Sequence, residues 1–390
     1  MDDSSSGKPE SYSLRALALY FLRLGALGFG GPIALAGYMQ RDLVERQRWI
    51  TKDEYVEGLA LAQLAPGPLA AQLATYLGWV RGGVFGATLI SIAFIVPSFL
   101  MVVALSAAYL RFGGLVWMQG LFYGIGAAVI AIIARSVFKL AKMTLAKDRL
   151  LWAVFAINAV VTAWTESEIV WLFLASGVLL FFQRGRPTGP LAAPGVSAFF
   201  PVDMLVTGLS GAASSETLWR IGLFFAEGGA VVFGSGLAIV PFLHGGVVNE
   251  HHWLTERQFL DAVAVAMITP GPVVITVAFI GYLVAGPLGA AVAALGVFLP
   301  CYLFVIIPAP YFKRYAKNPS IAAFVAGVTA AATGAIAGAG FVLGRRALLD
   351  VPTVAMAAVT LLALVKLKKA PEPLVILGAG AAGLLLRGFS

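Results

Sequence analysis

The sequence predicts an all-α polytopic membrane protein whose two homologous halves form an inverted repeat, with broken or re-entrant helices among about 10 to 12 membrane segments. Three observations carry this. The chain of 390 residues is 60% apolar and only 12% charged, where an ordinary soluble domain is about 25% charged. Its apolar residues fall in long runs without charge. The second half repeats the first, and the charges of matching loops are exchanged.

The composition excludes a soluble enzyme, a nucleic-acid binder and a disordered chain, because no soluble fold of this size hides so much apolar surface. The 44 glycines and 20 prolines fit membrane helices, in which both are common. A net charge of +8 then reads as membrane-facing loop charge. The single cysteine, Cys301, excludes an internal disulfide framework or a CxxC site, and reads as a small buried side chain. Residues 1–13 form a polar tail with Asp2 and Asp3, unlike the basic and then apolar start of a cleavable signal peptide.

The longest runs without charge are 24–40, 58–80, 82–110, 112–134, 228–249, 262–312 and 318–344, with shorter ones at 150–165, 169–183, 351–365 and 373–386. They are continuous rather than alternating, which excludes a β-barrel. Gly and Pro interrupt several of them, at 28–32, at Pro66-Gly67-Pro68, at Pro270-Gly271-Pro272, at Pro97 and at Pro300. Broken backbone at membrane depth is tolerated only where protein or a wet cavity satisfies it. Residues 185–215, rich in Gly, Pro, Ser and Ala, read as a linker between a first repeat at 14–184 and a second at 216–390.

At one constant offset Phe29 and Gly30 fall on Phe233 and Gly234, Trp49 on Trp253, Thr51 on Thr255, and the first Pro-Gly-Pro on the second. With the offset shortened by one residue, Gly78, Gly86 and Pro97 meet Gly281, Gly289 and Pro300, and Gly124 meets Gly327. Chance pairs alanines and glycines readily, but not tryptophans and a Pro-Gly-Pro triplet. The 40–52 loop carries Arg41, Arg46, Arg48 and Lys52, while its counterpart at 244–256 carries no Lys or Arg. Lys/Arg-rich short loops stay cytoplasmic, so the two halves read as opposite-sided. One pair is ambiguous, since 139–149 is basic and so are Arg345 and Arg346.

Each triplet follows a marked helix start. Thr51 with Glu54, and Thr255 with Gln258, fit the capping box, and Ile50 with Tyr55 and Leu254 with Phe259 are placed as hydrophobic staples. Pro stops the helix, Gly permits unusual backbone angles, and the second Pro suits the first turn of a new helix. The new N-terminus offers unpaired N–H groups and a positive dipole end, an anion site made of backbone. Two inverted copies would face each other near the midplane. A bare turn between spans is the alternative, and recurrence in both halves favours binding. Candidate anion contacts are therefore Pro66, Gly67, Pro68, Pro270, Gly271 and Pro272, with Gln63 beside the first triplet. Gly30 and Gly31 form a second break, matched by Gly234 and Ser235, for which close helix packing is an equal explanation.

Arg23 is a candidate anion contact or a snorkelling cation. Glu57 and Asp261 occupy matching positions, and they read either as carriers of a coupling proton or as helix-start acids facing headgroups. Glu227, matched to Arg23, is a third coupling candidate. His244, His251 and His252 share one loop and read as exposed polar surface rather than as a metal site. No cofactor motif and no catalytic dyad on a span is found.

Phe29-Gly-Gly-Pro, Trp49-Ile-Thr, Ala62-Gln63-Leu-Ala-Pro-Gly-Pro68 and Gly78 through Pro97-Ser-Phe, with Phe233-Gly-Ser-Gly, Trp253-Leu-Thr and Thr269-Pro-Gly-Pro272, resemble the chromate ion transporter family in its two-domain form. The resemblance runs from about residue 14 to 386. It implies a multi-pass bacterial inner-membrane protein that exports chromate, confers resistance, and is driven by protons or membrane potential, without cofactor, metal or nucleic acid. Met267 in place of Gln63, and Ser235-Gly236 in place of Gly31-Pro32, depart from equivalence of the halves. Sulfate or another oxyanion is the alternative substrate, and a passive anion channel or a membrane enzyme acting on lipid the alternative class. Monomer and homodimer are both left open.

Overall fold

The computed structural model describes residues 12–29, 31–112, 116–145, 148–165, 170–184, 214–231, 236, 239–312, 319–366 and 372–387. The first repeat contains α1 (Leu14–Leu27), α2 (Gly31–Met39, continued by a wider π-helical turn over Gln40–Arg46), α3 (Lys52–Leu64), α4 (Leu69–Phe112), α5 (Val116–Thr144), α6 (Arg149–Thr165) and α7 (Val170–Arg184). The second contains α8 (Ser215–Val231), α9 (Ile239–Leu243, continued by a π-helical turn over His244–Glu250), α10 (Glu256–Ile268), α11 (Thr276–Ile306, preceded by a 3-10 turn over Val273–Ile275), α12 (Pro319–Ala347), α13 (Val351–Lys366) and α14 (Glu372–Arg387). Both capping boxes are formed, with Thr51 Oγ1 accepting from the Glu54 N–H and Thr255 Oγ1 from the Gln258 N–H.

The chain enters each repeat through two helical hairpins. Gly28 at the end of α1 packs on Leu35 of α2, and the chain returns to its starting face, where Tyr12 stacks on Trp49 with ring centroids 5.2 Å apart. Next, α3 and the start of α4 form a second hairpin with Pro66-Gly67-Pro68 at its tip, and Gly58 lies against the Tyr76 ring. At 13 residues α3 is about 20 Å long, short of the ~30 Å hydrocarbon core. The runs at 24–40 and 58–80 are thus re-entrant hairpins rather than the spans that their length and apolarity suggested. Glycine and proline reverse the chain inside them.

Residues 69–81 and 84–112 of α4 are two helices joined by a second reversal. Gly82 and Gly83 have φ/ψ of −146°/25° and 56°/−145°, and the limbs lie side by side with Thr75 Oγ1 2.7 Å from Ser91 Oγ. Ala285 and Gly286 repeat this turn at −143°/27° and 64°/−156°. The left-handed φ explains a glycine at 83 and 286, since an L side chain there clashes with its own backbone. The single apolar run at 262–312 holds the end of α10, the second tip and both limbs of α11.

The halves are inverted. Tyr302, near the C-terminal end of α11, hydrogen-bonds Thr88, near the start of the long limb of α4, at 2.6 Å. Equivalent helices of the two repeats therefore run antiparallel. The same holds for α5 and α12, where Gly340 packs on Ile133 and Gly344 on Ile130. The repeats also exchange partners: α6 and α7 pack on α12, and α13 and α14 on α5. Small residues allow this close approach, as where Gly124 of α5 meets Ala379 and Gly383 of α14. Among the described residues four stretches are long and apolar enough to cross a membrane, Leu69–Phe112, Trp117–Lys142, Val273–Ile306 and Pro319–Ala347, the first and third each containing one of these reversals.

Candidate anion site at the helical tips

Each Pro-Gly-Pro triplet is held by the long limb of the other repeat. Gly67, buried with φ of 131°, sits where an added Cβ would lie 2.8 Å from Cys301 Sγ. Gly271, buried with φ of 96°, sits where a Cβ would collide with Ser98 Oγ. Ser98 and Cys301 are repeat equivalents. Ser98 donates to the Gly25 carbonyl at 3.2 Å and Cys301 to the Gly229 carbonyl at 3.4 Å. The tips therefore rest on the opposite long helices, which replaces the direct face-to-face approach expected from the repeat. The Gly271 N–H also donates to the Gly28 carbonyl at 2.9 Å, joining the second triplet to the first glycine break.

Beyond each triplet a helix begins. Ala71 and Gln72 donate their N–H groups to the Pro68 carbonyl at 2.9 and 3.1 Å, so the preceding N–H groups, of Leu69 and Ala70, have no intrahelical acceptor. In the second tip Ile275 donates to the Pro272 carbonyl at 2.9 Å, which leaves Val273 and Val274 in the same position. These are the donors an anion would meet.

The remaining predicted residues divide. Gly31 has φ of 73° at the start of α2, beside the first break. Gly30, Gly234 and Ser235 lie outside the described residues. Gln63, Arg23 and Glu227 are exposed on α3, α1 and α8. Gln72, which sequence reasoning passed over, is bonded to the first tip. It is 1% exposed, and its Nε2 donates to the Pro66 carbonyl at 2.5 Å. The signal for it was a polar residue in the first turn of a helix that is otherwise apolar.

The paired acids differ. Asp261 is buried at 7% exposure and accepts a 2.7 Å hydrogen bond from the Tyr109 hydroxyl, which comes from the first repeat. The Tyr109 ring packs edge-on against Phe279 and Phe122. Glu57 is half-buried and is bonded by Tyr76 of its own repeat.

His244 corrects the reading of its loop as exposed. It is 3% exposed and its Nε2 lies 2.7 Å from Glu256, which also pairs with Arg346 at the end of α12. Its place in the π-helical turn points it back under α10 rather than outward. His251 packs on Trp253 and Phe224, and this burial holds its imidazole below the usual histidine range. Among the described residues no group of three or more His, Cys, Asp or Glu is placed to hold a metal.

A family model described as "Chromate transporter" matches residues 15–181 and again 219–384. The chain is 60% identical over 376 residues to the chromate transport protein of Cupriavidus metallidurans, covering 96% of this chain and 94% of that one. It is 56% identical over 377 residues to a probable chromate transport protein of Synechococcus elongatus, covering 96% of each. It is 32% identical over 346 residues to the chromate transport protein of Pseudomonas aeruginosa, covering 86% and 82%. No solved structure is similar to it.

Proposed function

The chain belongs to the chromate transporter family, and from that premise we propose that it exports chromate across the bacterial inner membrane, using the proton gradient or the membrane potential. It is a multi-pass membrane transport protein and not an enzyme. The observation that carries the substrate reading is the pair of Pro-Gly-Pro tips, each opening a helix N-terminus inside the membrane and each braced by the opposite repeat. Tetrahedral oxyanions suit such backbone donors, and an inverted pair of broken helices is the plan by which secondary transporters expose one site to either face. Pro66 to Pro68 and Pro270 to Pro272 form the site in this reading, and the sequence offers Gly30, Gly31, Gly234 and Ser235 as further candidates. The first repeat is taken as 14–184 and the second as 216–390.

Two driving forces are candidates. Asp261 is the coupling carboxylate in this proposal, because it is buried and its hydrogen bond comes from a neutral hydroxyl of the other repeat, with the charge of Arg257 on its own helix also acting on it. A dianion also gains about 4–5 kcal/mol on crossing 100 mV, which favours export from a negative interior. The test is uptake of labelled chromate and sulfate by inverted vesicles, with and without an imposed pH gradient. Accumulation of chromate above its equilibrium level supports the reading. Flux that only dissipates a gradient makes the protein a channel, and uptake of sulfate alone overturns the substrate.

A further inference from the structure

The packing of the helices divides the molecule along a line that is not the line between the repeats. One body takes the first part of each repeat, α1 to α4 with α8 to α11, and carries both Pro-Gly-Pro tips. In it an added Cβ on Gly25 of α1 would meet the Phe94 carbonyl of α4, and one on Gly229 of α8 the Val297 carbonyl of α11. The other body takes α5 to α7 with α12 to α14. There Gly334 of α12 stands in the same relation to Phe155 of α6, and Gly124 of α5 to Ala379 of α14. A glycine against a neighbouring backbone marks interlocked helices, which cannot slide without first separating. Among the described residues, wherever the nearest atoms to such an added Cβ belong to another helix, that helix lies in the same body.

Across the boundary side chains meet instead. The Tyr109 ring of α4 lies edge-on to Phe122 of α5 with centroids 5.5 Å apart. Arg346, at the end of α12, pairs with Glu256 at the start of α10 and lies 3.3 Å from His244 Nε2. The boundary is also unevenly filled. Beside Pro66 a cavity of about 750 Å³ is lined by Leu61 and Leu64 of α3, by Ile321 of α12 and by Phe312, the residue matching Tyr109. One side is thus open at the first tip where its counterpart is closed by Tyr109 beside α10, the asymmetry that an inverted repeat shows in either of its end states. We propose that the tip-bearing body moves as a unit against the other body, remaking the Tyr109–Phe122 and Arg346–Glu256 contacts in each cycle. The proposal rests on the reading that the chain transports by alternating exposure, and it names the parts that move. The repeats do not rock against each other in it, because the Thr88–Tyr302 hydrogen bond and the seating of Gly67 and Gly271 on the opposite long limbs join them inside one body. Asp261 accepts from the same Tyr109 hydroxyl, so its charge acts at the boundary where the movement occurs.

Cysteine pairs in a Cys301→Ser background, joined by a short reducible bifunctional thiol reagent, test this in vesicles. Linking Glu256→Cys to Arg346→Cys ties the two bodies, and should abolish chromate transport until the link is reduced. Linking Thr88→Cys to Tyr302→Cys ties the two repeats inside one body, and should leave transport unchanged. Transport that persists with the first pair fully linked overturns the proposal. So does transport lost on linking the second pair and regained on reduction, which would make the repeats the moving parts. A second measurement needs neither the ion-pair residues nor transport. Phe85 and Trp164 are exposed residues of one repeat on different bodies, whereas Phe85 and Leu288 are exposed residues of different repeats on one body. Spin labels on the first two should show distances that redistribute with pH and with added chromate, and labels on the second two a single fixed distance. One unchanging distance for the first pair, or a shift in the second, overturns the proposal. Absence of chromate transport by the unlinked wild-type chain would instead count against the transport reading, and the label distances would still decide the movement.

Discussion

The hydroxyl of Tyr109, on the long limb of α4, donates a 2.7 Å hydrogen bond to the carboxylate of Asp261 on α10, so that one repeat holds the buried acid of the other. The matching position to Tyr109 is Phe312, and Glu57 takes its bond from Tyr76 within its own repeat. The two acids are equivalent in sequence and different in surroundings. In the proposed coupling, a proton arriving at Asp261 would change a contact between repeats, the kind of contact that rearranges when an inverted pair alternates between faces.

Asp261→Asn should therefore abolish accumulation driven by a pH gradient while leaving exchange of chromate down its own gradient intact. Tyr109→Phe should weaken driven transport severalfold, since a neutral–neutral or charge-assisted hydrogen bond is worth about 1–3 kcal/mol. Glu57→Gln should have the smaller effect. Transport in vesicles with and without the gradient measures all three. Full pH-driven accumulation by Asp261→Asn would place the coupling at another group.

The glycines of the tips tolerate no side chain. At φ of 131° and 96° an alanine costs about 1–3 kcal/mol in backbone strain alone, before its Cβ meets Cys301 and Gln72 at Gly67 or Ser98 at Gly271. Gly67→Ala and Gly271→Ala should reduce chromate transport by roughly tenfold or more at unchanged membrane insertion. Quantitative blotting beside uptake separates the two effects. Wild-type flux in both variants would make the triplets mere turns.

Removing one member of the His244, Glu256 and Arg346 cluster should destabilise the second repeat. Arg346→Met leaves Glu256 Oε2, which has no hydrogen-bond partner among the described residues, in a half-buried carboxylate that has lost this cation. Thermal unfolding should begin a few degrees lower, for a cost of about 1–3 kcal/mol. The double variant Glu256→Met, Arg346→Met should recover most of the loss, because both charges are then gone.

The inversion predicts opposite accessibility for matching loop positions. Glu45 and Asn249 are both exposed and are repeat equivalents. In a Cys301→Ser background, an impermeant thiol reagent applied from outside intact cells should label Asn249→Cys and spare Glu45→Cys, because the loop rich in arginine stays inside. Equal labelling of both would contradict the sidedness.

The sequence by itself determined the membrane class, the helical build, the two repeats, both capping boxes and both Pro-Gly-Pro breaks. These are local or periodic properties. Apolar run length, Thr-x-x-Glu or Thr-x-x-Gln spacing and a recurring triplet carry their meaning without knowledge of what packs against them. Only the tertiary structure decided which breaks reverse the chain and which merely bend it. Run length alone cannot tell a re-entrant hairpin from a span, so residues 58–80 resembled one crossing until Gly58 was seen against Tyr76. Tertiary contact also separated Asp261 from Glu57, drew His244 inward and set Gln72 at the first tip. Each depends on which side of a helix meets a partner from a distant segment, and in helices apolar all round the sequence holds no stripe to show that side.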